Sequence, residues 1–312
     1  MALIVGFAVA VALTPIAAWI ARRVGLVDEP GPLKVHSRSV PYLGGLAVLA
    51  AIAGPVAGGR ASLLLPLGLA CALGLADDAA DLPPVARLVV EVAIGASAAW
   101  VLGGHDVGRV ALGIAVVLVL VNAMNLLDGL DGLVAGVTIA GATGFFVVLS
   151  GAGATLAVAL AGAAAGFLVW NAPPARVYLG DAGSYLIGTA LAMLFLVAAR
   201  RDAAAVSGAA LFVGVPVADM AVAIVRRMRA HRPLLRGDRG HVYDQLVDRG
   251  WSAPVAVIAC VGAQALLSLA GVGIASLAGA TAVVVAVAVV AVVGSAMIVG
   301  FTSPRAWTPE EH

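Results

Sequence analysis

The chain has 312 residues, of which 62% are hydrophobic and 11% are charged, and its formal net charge is +1. Ordinary soluble domains carry about 25% charged residues, so this composition excludes a soluble globular protein. Long apolar runs with brief polar interruptions instead predict an all-α, polytopic integral membrane protein. We expect a membrane environment and no nucleic-acid partner.

We predict about ten to eleven transmembrane helices within a single domain over residues 1–312. The candidate spans cover residues 2–20, 43–58, 61–76, 85–102, 110–124, 133–149, 154–170, 182–199, 203–225, 253–269 and 277–299. Gly58, Gly59 and Arg60 barely separate the second span from the third. Pro216 and Asp219 inside the ninth span predict a kinked or broken helix.

The basic residues are distributed unevenly between the two sides of the predicted bundle. If the connections alternate between sides, 14 of the 18 Lys and Arg residues fall on one side and four on the other. The positive-inside rule assigns the richer side to the cytoplasm. Residues 226–252 form the longest polar stretch, a predicted cytoplasmic loop with some amphipathic helix. Its basic first half predicts a patch for lipid headgroups.

Polar side chains concentrate in five clusters on this predicted cytoplasmic face. In chain order they are "KVHSRSVPYLGG" (34–45), "GLADDAADL" (74–82), "NAMNLLDGLDGL" (122–133), "VYLGDAGS" (177–184) and "RGDRGHVYDQL" (236–246). A single Asp at the end of a span is most simply a helix cap or an interfacial loop residue. Five carboxylates with two Asn on one face favour a functional site, because polar groups at membrane depth are costly.

The spacing of these polar residues indicates a cation site for phosphate chemistry. Adjacent Asp77 and Asp78 repel each other unless a cation lies between them. Asp128 and Asp131 are three residues apart, which makes them neighbours on one helix face, and Asn125 lies three residues before Asp128. Oxygen ligands of this kind suit Mg²⁺. Asp181, at the start of a span, is suited to an N-cap, and the same turn can also bind an anion or a metal.

In this order, the clusters resemble those of the polyprenyl-phosphate N-acetylhexosamine-1-phosphate transferase superfamily, glycosyltransferase family 4. The superfamily includes bacterial undecaprenyl-phosphate GlcNAc-1-phosphate transferases and phospho-MurNAc-pentapeptide translocases. The resemblance spans residues 26–250, from "LVDEPGPLKVHSRSVPYLGG" through "GLADDAADL", "NAMNLLDGLDGL" and "VYLGDAGSYLIG" to "PVADMAVAIVRRMRAHRPLLRGDRGH". It implies a multi-pass enzyme of the bacterial plasma membrane with a cytoplasmic active site. A homodimer is compatible with the resemblance.

The resemblance implies that a polyprenyl phosphate attacks the β-phosphorus of a UDP-N-acetylhexosamine and releases UMP. It implies that Asn125 and Asp181 bind Mg²⁺, which Mn²⁺ can replace, and that Tyr178 stacks on uracil. One of Asp77 and Asp78 is expected to accept the proton of the lipid phosphate. The remaining implied residues are Asp128, Asp131 and His241 for catalysis, and Lys34, His36, Arg87, Asn122 and Arg239 for substrate binding.

Two features of the sequence depart from the family pattern. The fifth cluster reads "HVYD" where close GlcNAc-1-phosphate transferases carry "HIHH", so that only His241 is kept. Val85 lies two residues before Arg87, where the family often has Lys. The main alternative from another class is a polytopic transporter that uses the Asp and Asn cluster to bind an ion or solute. A transporter needs polar groups near the midplane of the membrane, reachable from both sides.

Overall fold

The computed structural model describes residues 1–29, 39–234 and 238–302, and most of these residues are helical. Two short antiparallel strands, β1 (Val27–Asp28) and β2 (Val40–Pro41), pair with each other ahead of α2. The predicted all-α polytopic fold is confirmed. Two of the predicted substrate-binding residues, Lys34 and His36, lie outside the described residues. In chain order the helices are α1 (Ala2–Val24), α2 (Gly44–Arg60), α3 (Leu64–Ala80), α4 (Pro84–Val101), α5 (Val107–Leu127), α6 (Leu133–Val148), α7 (Gly151–Asn171), α8 (Gly180–Ala199), α9 (Ala203–Phe212), α10 (Gly214–Arg229), α11 (Val242–Asp248), α12 (Ala253–Ala275) and α13 (Gly279–Phe301).

Within the described residues, eight helical stretches are long and apolar enough to cross a membrane, or nine if a bent pair counts as one span. One of the eight stretches, Gly44–Ala80, contains both α2 and α3. Gly45 at its start and Gly74 near its end both lie against the first turn of α8. The two helices therefore form an antiparallel hairpin that turns at Arg60, whose backbone is extended. Helix α6, with 16 residues, is a shorter apolar helix and coincides with the sixth predicted span. Each of the other predicted spans also coincides with one helix, except the ninth, which coincides with the pair α9–α10.

The predicted break in the ninth span is present, but it lies three residues before Pro216. Helix α9 ends at Phe212 and α10 begins at Gly214, and the two axes differ by 68°. Pro216 has no N–H with which to donate to the carbonyl oxygen of Phe212, four residues earlier. The helix therefore breaks just after Phe212, and Pro216 falls in the first turn of α10, where a missing N–H is tolerated.

Helix α8 is the most buried of the candidate spans and runs through the centre of the bundle, against α3 and α5. Glycines allow this close packing. A Cβ on Gly74 of α3 would lie 2.3 Å from the backbone of Asp181 and Ala182. A Cβ on Gly188 of α8 would lie 2.6 Å from the backbone of α5. The ends of α3 and α5 and the start of α8 therefore meet at one end of the bundle.

The long polar stretch differs from its predicted form in two ways. Helix α10 continues to Arg229, so the connection to α12 begins at residue 230 and contains α11. Arg226 and Arg227 are buried, with 8% and 4% of their surface exposed, and both pair with Asp238. The predicted lipid-headgroup patch is therefore wrong for these two arginines, because their guanidinium groups face the protein.

Candidate active site

An open cleft of about 860 Å³ lies at the end of the bundle where α3, α5 and α8 meet. Carboxylates dominate its polar lining, and Asp28 of β1, Tyr42 after β2 and the connections after α5, α7 and α10 complete the wall. The predicted site residues that line it are Asp77, Asp78, Asn125, Asp128, Asp131, Tyr178, Asp181 and Arg239. Arg87, Asn122 and His241 are not among the lining residues.

The two predicted metal ligands are in direct contact. Asn125, in the last turn of α5, donates from Nδ2 to Oδ1 of Asp181 over 2.6 Å. Asp181 lies in the first turn of α8, directly after Gly180, whose φ is +72°. A Cβ on Gly180 would also lie 2.8 Å from Oδ2 of Asp78. Both the backbone conformation and this close approach explain the glycine before Asp181.

Asp78, rather than Asp181, caps the start of α8. Its Oδ1 accepts the backbone N–H of Asp181 at 2.9 Å, and its Oδ2 accepts the N–H of Ala182 at 3.2 Å. The first N–H groups of a helix have no partner within it, and a carboxylate satisfies them well. Asp78 thereby fixes the position of Asp181, although the two residues are far apart in the sequence.

The carboxylate of Asp77 is held from three sides and is only 5% exposed. Its Oδ1 accepts the backbone N–H of Leu82 at 2.8 Å, and its Oδ2 accepts from Arg87 at 2.9 Å and from the hydroxyl of Tyr185 at 2.5 Å. Arg87 was expected to bind a substrate phosphate, but its guanidinium group faces Asp77 and does not line the cleft. Asp77 therefore orients the guanidinium group of Arg87.

The segment between α5 and α6 is fixed to the segment after α7 by two side chains. Oδ2 of Asp131 accepts the N–H of Ala175 at 2.8 Å. Asn171 accepts the N–H of Gly132 through Oδ1 and donates to the carbonyl oxygen of Val177 through Nδ2. Asn171 is buried and was not predicted, although an Asn at the end of an apolar run is a visible signal.

Within the described residues, the side chain of Asp128 makes no hydrogen bond or ion pair. Its side chain is exposed at the mouth of the cleft. Desolvation by the surrounding cleft walls, together with the negative charges of Asp181, Asp78 and Asp131, raises the pKa of Asp128 to about 7. The cleft thus concentrates negative charge that a bound cation would neutralise.

The segment around α11 forms the opposite wall of the cleft. Arg239 lies at its edge with 62% of its side chain exposed, 4.0 Å from Asp244. Tyr243 donates from its hydroxyl to the carbonyl oxygen of Leu126 at 3.0 Å, at the end of α5. A Cβ on Gly129 would lie 2.2 Å from that hydroxyl, so the glycine leaves room for the tyrosine. Tyr243 was not predicted as a site residue.

His241 lies behind this wall, 4% exposed, and not in the cleft. Its Nδ1 is 2.7 Å from Oδ2 of Asp219 in α10, and its ring stacks on Tyr243. Oδ1 of Asp219 also accepts the N–H of Val242 at 2.7 Å. In this arrangement His241 anchors the start of α11, and its catalytic role stays a prediction.

Asn122 also lies away from the cleft. Its Nδ2 donates to Oε2 of Glu91 at 2.6 Å and to the carbonyl oxygen of Leu118 at 2.9 Å. Glu91 is 1% exposed within α4 and was not predicted. A lone carboxylate in an apolar span is a signal that could have identified it. The pair ties α4 to α5 one turn before Asn125.

We predict that replacing Asp238 with asparagine loosens the wall formed by the α11 segment. Burial opposes ionisation of Asp238, but hydrogen bonds and charges from Arg226 and Arg227 outweigh it and lower the pKa to about 2. Removing one partner of a buried ion pair costs about 3–5 kcal/mol. Amide exchange of residues 238–244, followed by mass spectrometry, should therefore accelerate by roughly 10²–10³-fold or more.

The stabilisation by Asp238 should depend on pH in a defined direction. A pKa lowered by folding gives full stabilisation above the ordinary value of 3.8 and loses it as the pH falls towards about 2. The ratio of the amide-exchange rates of Asp238→Asn and wild type should thus be constant between pH 5 and 8. The exposed Asp248→Asn is the matched control, and equal exchange in all three proteins would contradict the prediction.

Comparison with known proteins links this site to one group of enzymes. The family described as glycosyl transferase family 4 matches residues 61–199, which include the Asp pair, the Asn and Asp signature and Asp181. The chain is 28% identical over 285 residues to a probable undecaprenyl-phosphate N-acetylglucosaminyl 1-phosphate transferase of Bacillus subtilis, covering 83% of this chain and 80% of that protein.

Two other relatives carry similar names. A decaprenyl-phosphate N-acetylglucosaminephosphotransferase of Mycolicibacterium smegmatis is 31% identical over 295 residues, which cover 77% of this chain and 73% of the relative. An undecaprenyl-phosphate alpha-N-acetylglucosaminyl 1-phosphate transferase of Escherichia coli K12 is 28% identical over 286 residues, which cover 81% and 77%. All three similarities extend over most of the chain, well beyond the segment that the family pattern matches.

Proposed function

Because the chain belongs to glycosyl transferase family 4, and its relatives are named as polyprenyl-phosphate N-acetylglucosamine-1-phosphate transferases, we propose that it transfers a sugar-1-phosphate to a polyprenyl phosphate. The donor is a UDP-N-acetylhexosamine. A phosphate oxygen of the lipid forms a bond to the β-phosphorus of the donor, and the bond from that phosphorus to the bridging oxygen of UMP breaks. UMP leaves, and a polyprenyl-diphospho-sugar remains in the membrane.

The observation that carries this proposal is the meeting of Asn125 and Asp181 in a carboxylate-rich cleft at one end of an apolar bundle. A lipid phosphate and a soluble nucleotide can meet only near the membrane surface, where this cleft opens. Phosphoryl transfer consists mostly of positioning and charge neutralisation, so fixed polar groups at such a boundary are suited to it.

We propose that Asp181 and Asn125 hold a Mg²⁺ ion, which Mn²⁺ can replace. Among the described residues, no group of three or more His, Cys, Asp or Glu side chains is arranged to hold a metal. One carboxylate and one amide still fit Mg²⁺, because this ion keeps several waters and takes further ligands from substrate phosphates. When bound, the ion would neutralise charge on the diphosphate. The mutual repulsion of Asp78, Asp128 and Asp181 supports a cation requirement.

The remaining cleft residues divide between the two substrates in this proposal. Asp77 and Asp78, at the end of α3, face the lipid phosphate, and Asp77 holds the half-buried Arg87 beside them. Tyr178 offers a half-buried ring for the uracil. Arg239 is exposed at the opposite edge and can approach the diphosphate or the sugar. Among N-acetylhexosamines, the names of the relatives favour N-acetylglucosamine as the first donor to test.

A transporter is not favoured by this arrangement. Binding of a solute near the midplane, with access from both sides, requires polar groups in the middle of the bundle. The carboxylates of the cleft instead gather at one end, where α3 and α5 finish and α8 begins. The family to which the chain belongs also consists of transferases.

We propose that the cleft faces the cytoplasm of a bacterial plasma membrane. The excess of Lys and Arg on the cleft side supports this orientation. A cysteine at Leu234, which is exposed after α10, should react with a membrane-impermeant maleimide only from the cytoplasmic side. A cysteine at Val107, exposed at the start of α5, should react only from outside. Reversed labelling would contradict the orientation, and Cys71 and Cys260 are buried and give little background.

The proposed activity is tested with purified protein in detergent, polyprenyl phosphate, Mg²⁺ and a panel of UDP-sugars. The lipid product is identified by mass, and the released nucleotide is separated by chromatography. We expect UMP and a lipid whose mass has increased by one N-acetylhexosamine phosphate. Release of UDP, or a product with a single phosphate, would contradict sugar-phosphate transfer. No product with any donor would reject the proposal.

A further inference from the structure

The break between α9 and α10 is filled by a side chain of another helix. Gln264 of α12 is completely buried. Its Oε1 accepts the N–H of Val215 at 3.0 Å, and its Nε2 donates to the carbonyl oxygen of Leu211 at 3.0 Å. In a continuous helix this N–H and this carbonyl, four residues apart, would bond to each other. The amide of Gln264 is therefore inserted into a missing helical hydrogen bond.

The two backbone groups have no water available to them at membrane depth, so they need such a partner. A primary amide is suited to the gap because it offers an acceptor and a donor side by side. The second N–H of Gln264 donates to Ser268 at 3.1 Å, so every hydrogen-bonding group of the amide is occupied. Phe212, packed edge-to-face on Phe145 of α6 at 5.0 Å, supports the same break.

The direction of α10 determines where the α11 wall of the cleft lies. Asp219 of α10 holds His241 and the N–H of Val242. Tyr243, next in sequence, reaches Leu126 beside the cleft. These contacts form a continuous path from the break to the cleft wall. A change in the bend would move Asp219, and with it the start of α11.

We infer that Gln264 is a positioning residue that sets the bend between α9 and α10 and thereby places Arg239 and Tyr243 at the cleft. It touches neither substrate. Without its amide, the N–H of Val215 and the carbonyl of Leu211 can be satisfied only by each other, which reduces the bend, while Pro216 still leaves the carbonyl of Phe212 without a helical donor. The functional part of this inference rests on the proposed transferase activity, whereas the structural part does not.

The test measures geometry and kinetics separately. Spin labels are attached at Met228, exposed at the end of α10, and at Val85, exposed at the start of α4, with Cys71 and Cys260 replaced by alanine. The distance between the two spin labels is compared for wild type, Gln264→Leu and Gln264→Met. Met is unbranched like Gln and has a similar volume, whereas Leu is branched. If both variants give the same distance, the change is due to the lost hydrogen bonds and not to altered packing. Ser268→Ala is the matched control, because it removes the one Gln264 bond that lies outside the break.

We expect a shifted or broadened distance in both Gln264 variants and a wild-type distance in Ser268→Ala. We also expect kcat/KM for the UDP-sugar to fall roughly 10–100-fold, a usual cost of misplacement by about 1 Å. The KM for polyprenyl phosphate should change much less. A wild-type distance in both Gln264 variants overturns the inference whatever the activity, and an unchanged kcat/KM for the UDP-sugar overturns the link to the cleft. An inactive wild type rejects the proposed function and leaves the distance result standing.

Discussion

Replacing Asp181 with asparagine should lower the rate of sugar-phosphate transfer by at least about 10²–10³-fold, the usual loss when a group that stabilises transition-state charge is removed. The substitution keeps the size of the side chain and removes its negative charge. Asp181 is the carboxylate that contacts Asn125, and its backbone is fixed by Asp78. Turnover is measured as UMP release, and a wild-type elution profile in detergent excludes a folding defect. Asn125→Ala should have a similar effect.

The same experiment tests the cation. Excess EDTA should abolish the activity of the wild type, and added Mg²⁺ or Mn²⁺ should restore it. Asp81→Asn is a matched control, since Asp81 lines the same cleft and its left-handed backbone conformation suits asparagine as well as aspartate. This variant should keep nearly full activity. Full turnover of the wild type in excess EDTA would reject the metal assignment.

Replacing Asp78 with asparagine should lower the maximal rate by about 10²–10⁴-fold at about pH 6 or below, if Asp78 accepts the proton of the lipid phosphate. Asp78 is the better candidate of the pair because it is half-buried in the cleft wall, whereas Asp77 is held by Arg87, Tyr185 and Leu82. The second pKa of a phosphate monoester is about 6. As the pH rises above this value, the lipid arrives deprotonated, and the defect should shrink.

The pH profile separates this role from simple positioning. Asn at position 78 offers one acceptor oxygen where the start of α8 requires two, so part of the loss should persist at every pH. Asp77→Asn frees Arg87, and its maximal rate should be lower than that of the wild type by a factor that does not change with pH. The affinity for the UDP-sugar should change little in either variant. If both variants lose the same factor at every pH, Asp78 is only a positioning residue and the base role is wrong.

Much of the fold and of the cleft could be predicted from local sequence. Apolar runs identify the spans because a segment in lipid must satisfy its own backbone as a helix and must present apolar side chains to the lipid over its whole length. The polar clusters identify the cleft because polar groups are costly elsewhere in such a chain. Asp78, Asn125, Asp128 and Asp181 come together since the ends of α3 and α5 and the start of α8 meet at one level.

The partners of individual side chains could not be predicted in the same way. His241 and Arg87 were expected to act on substrates, but Asp219 and Asp77 hold them. Nothing in the local sequence specifies these pairings, because each depends on how separate helices pack. The break in the ninth span lies three residues before Pro216, because Pro216 leaves the carbonyl of Phe212 without a helical donor and Gln264 of another helix fills the gap. The lone polar residues Glu91 and Gln264 were nevertheless visible inside apolar runs.

The hairpin of α2 and α3 has a consequence for the surrounding lipid. Each helix has 17 residues, which rise about 25 Å, whereas the hydrocarbon core of a bilayer is about 30 Å thick. A bilayer accommodates such a short helix by thinning beside it. The thinning brings the headgroup plane inward at the end of α3, which carries Asp77 and Asp78. In the activity proposed above, this would bring a lipid-borne phosphate to the depth of the carboxylate pair without the lipid leaving its leaflet.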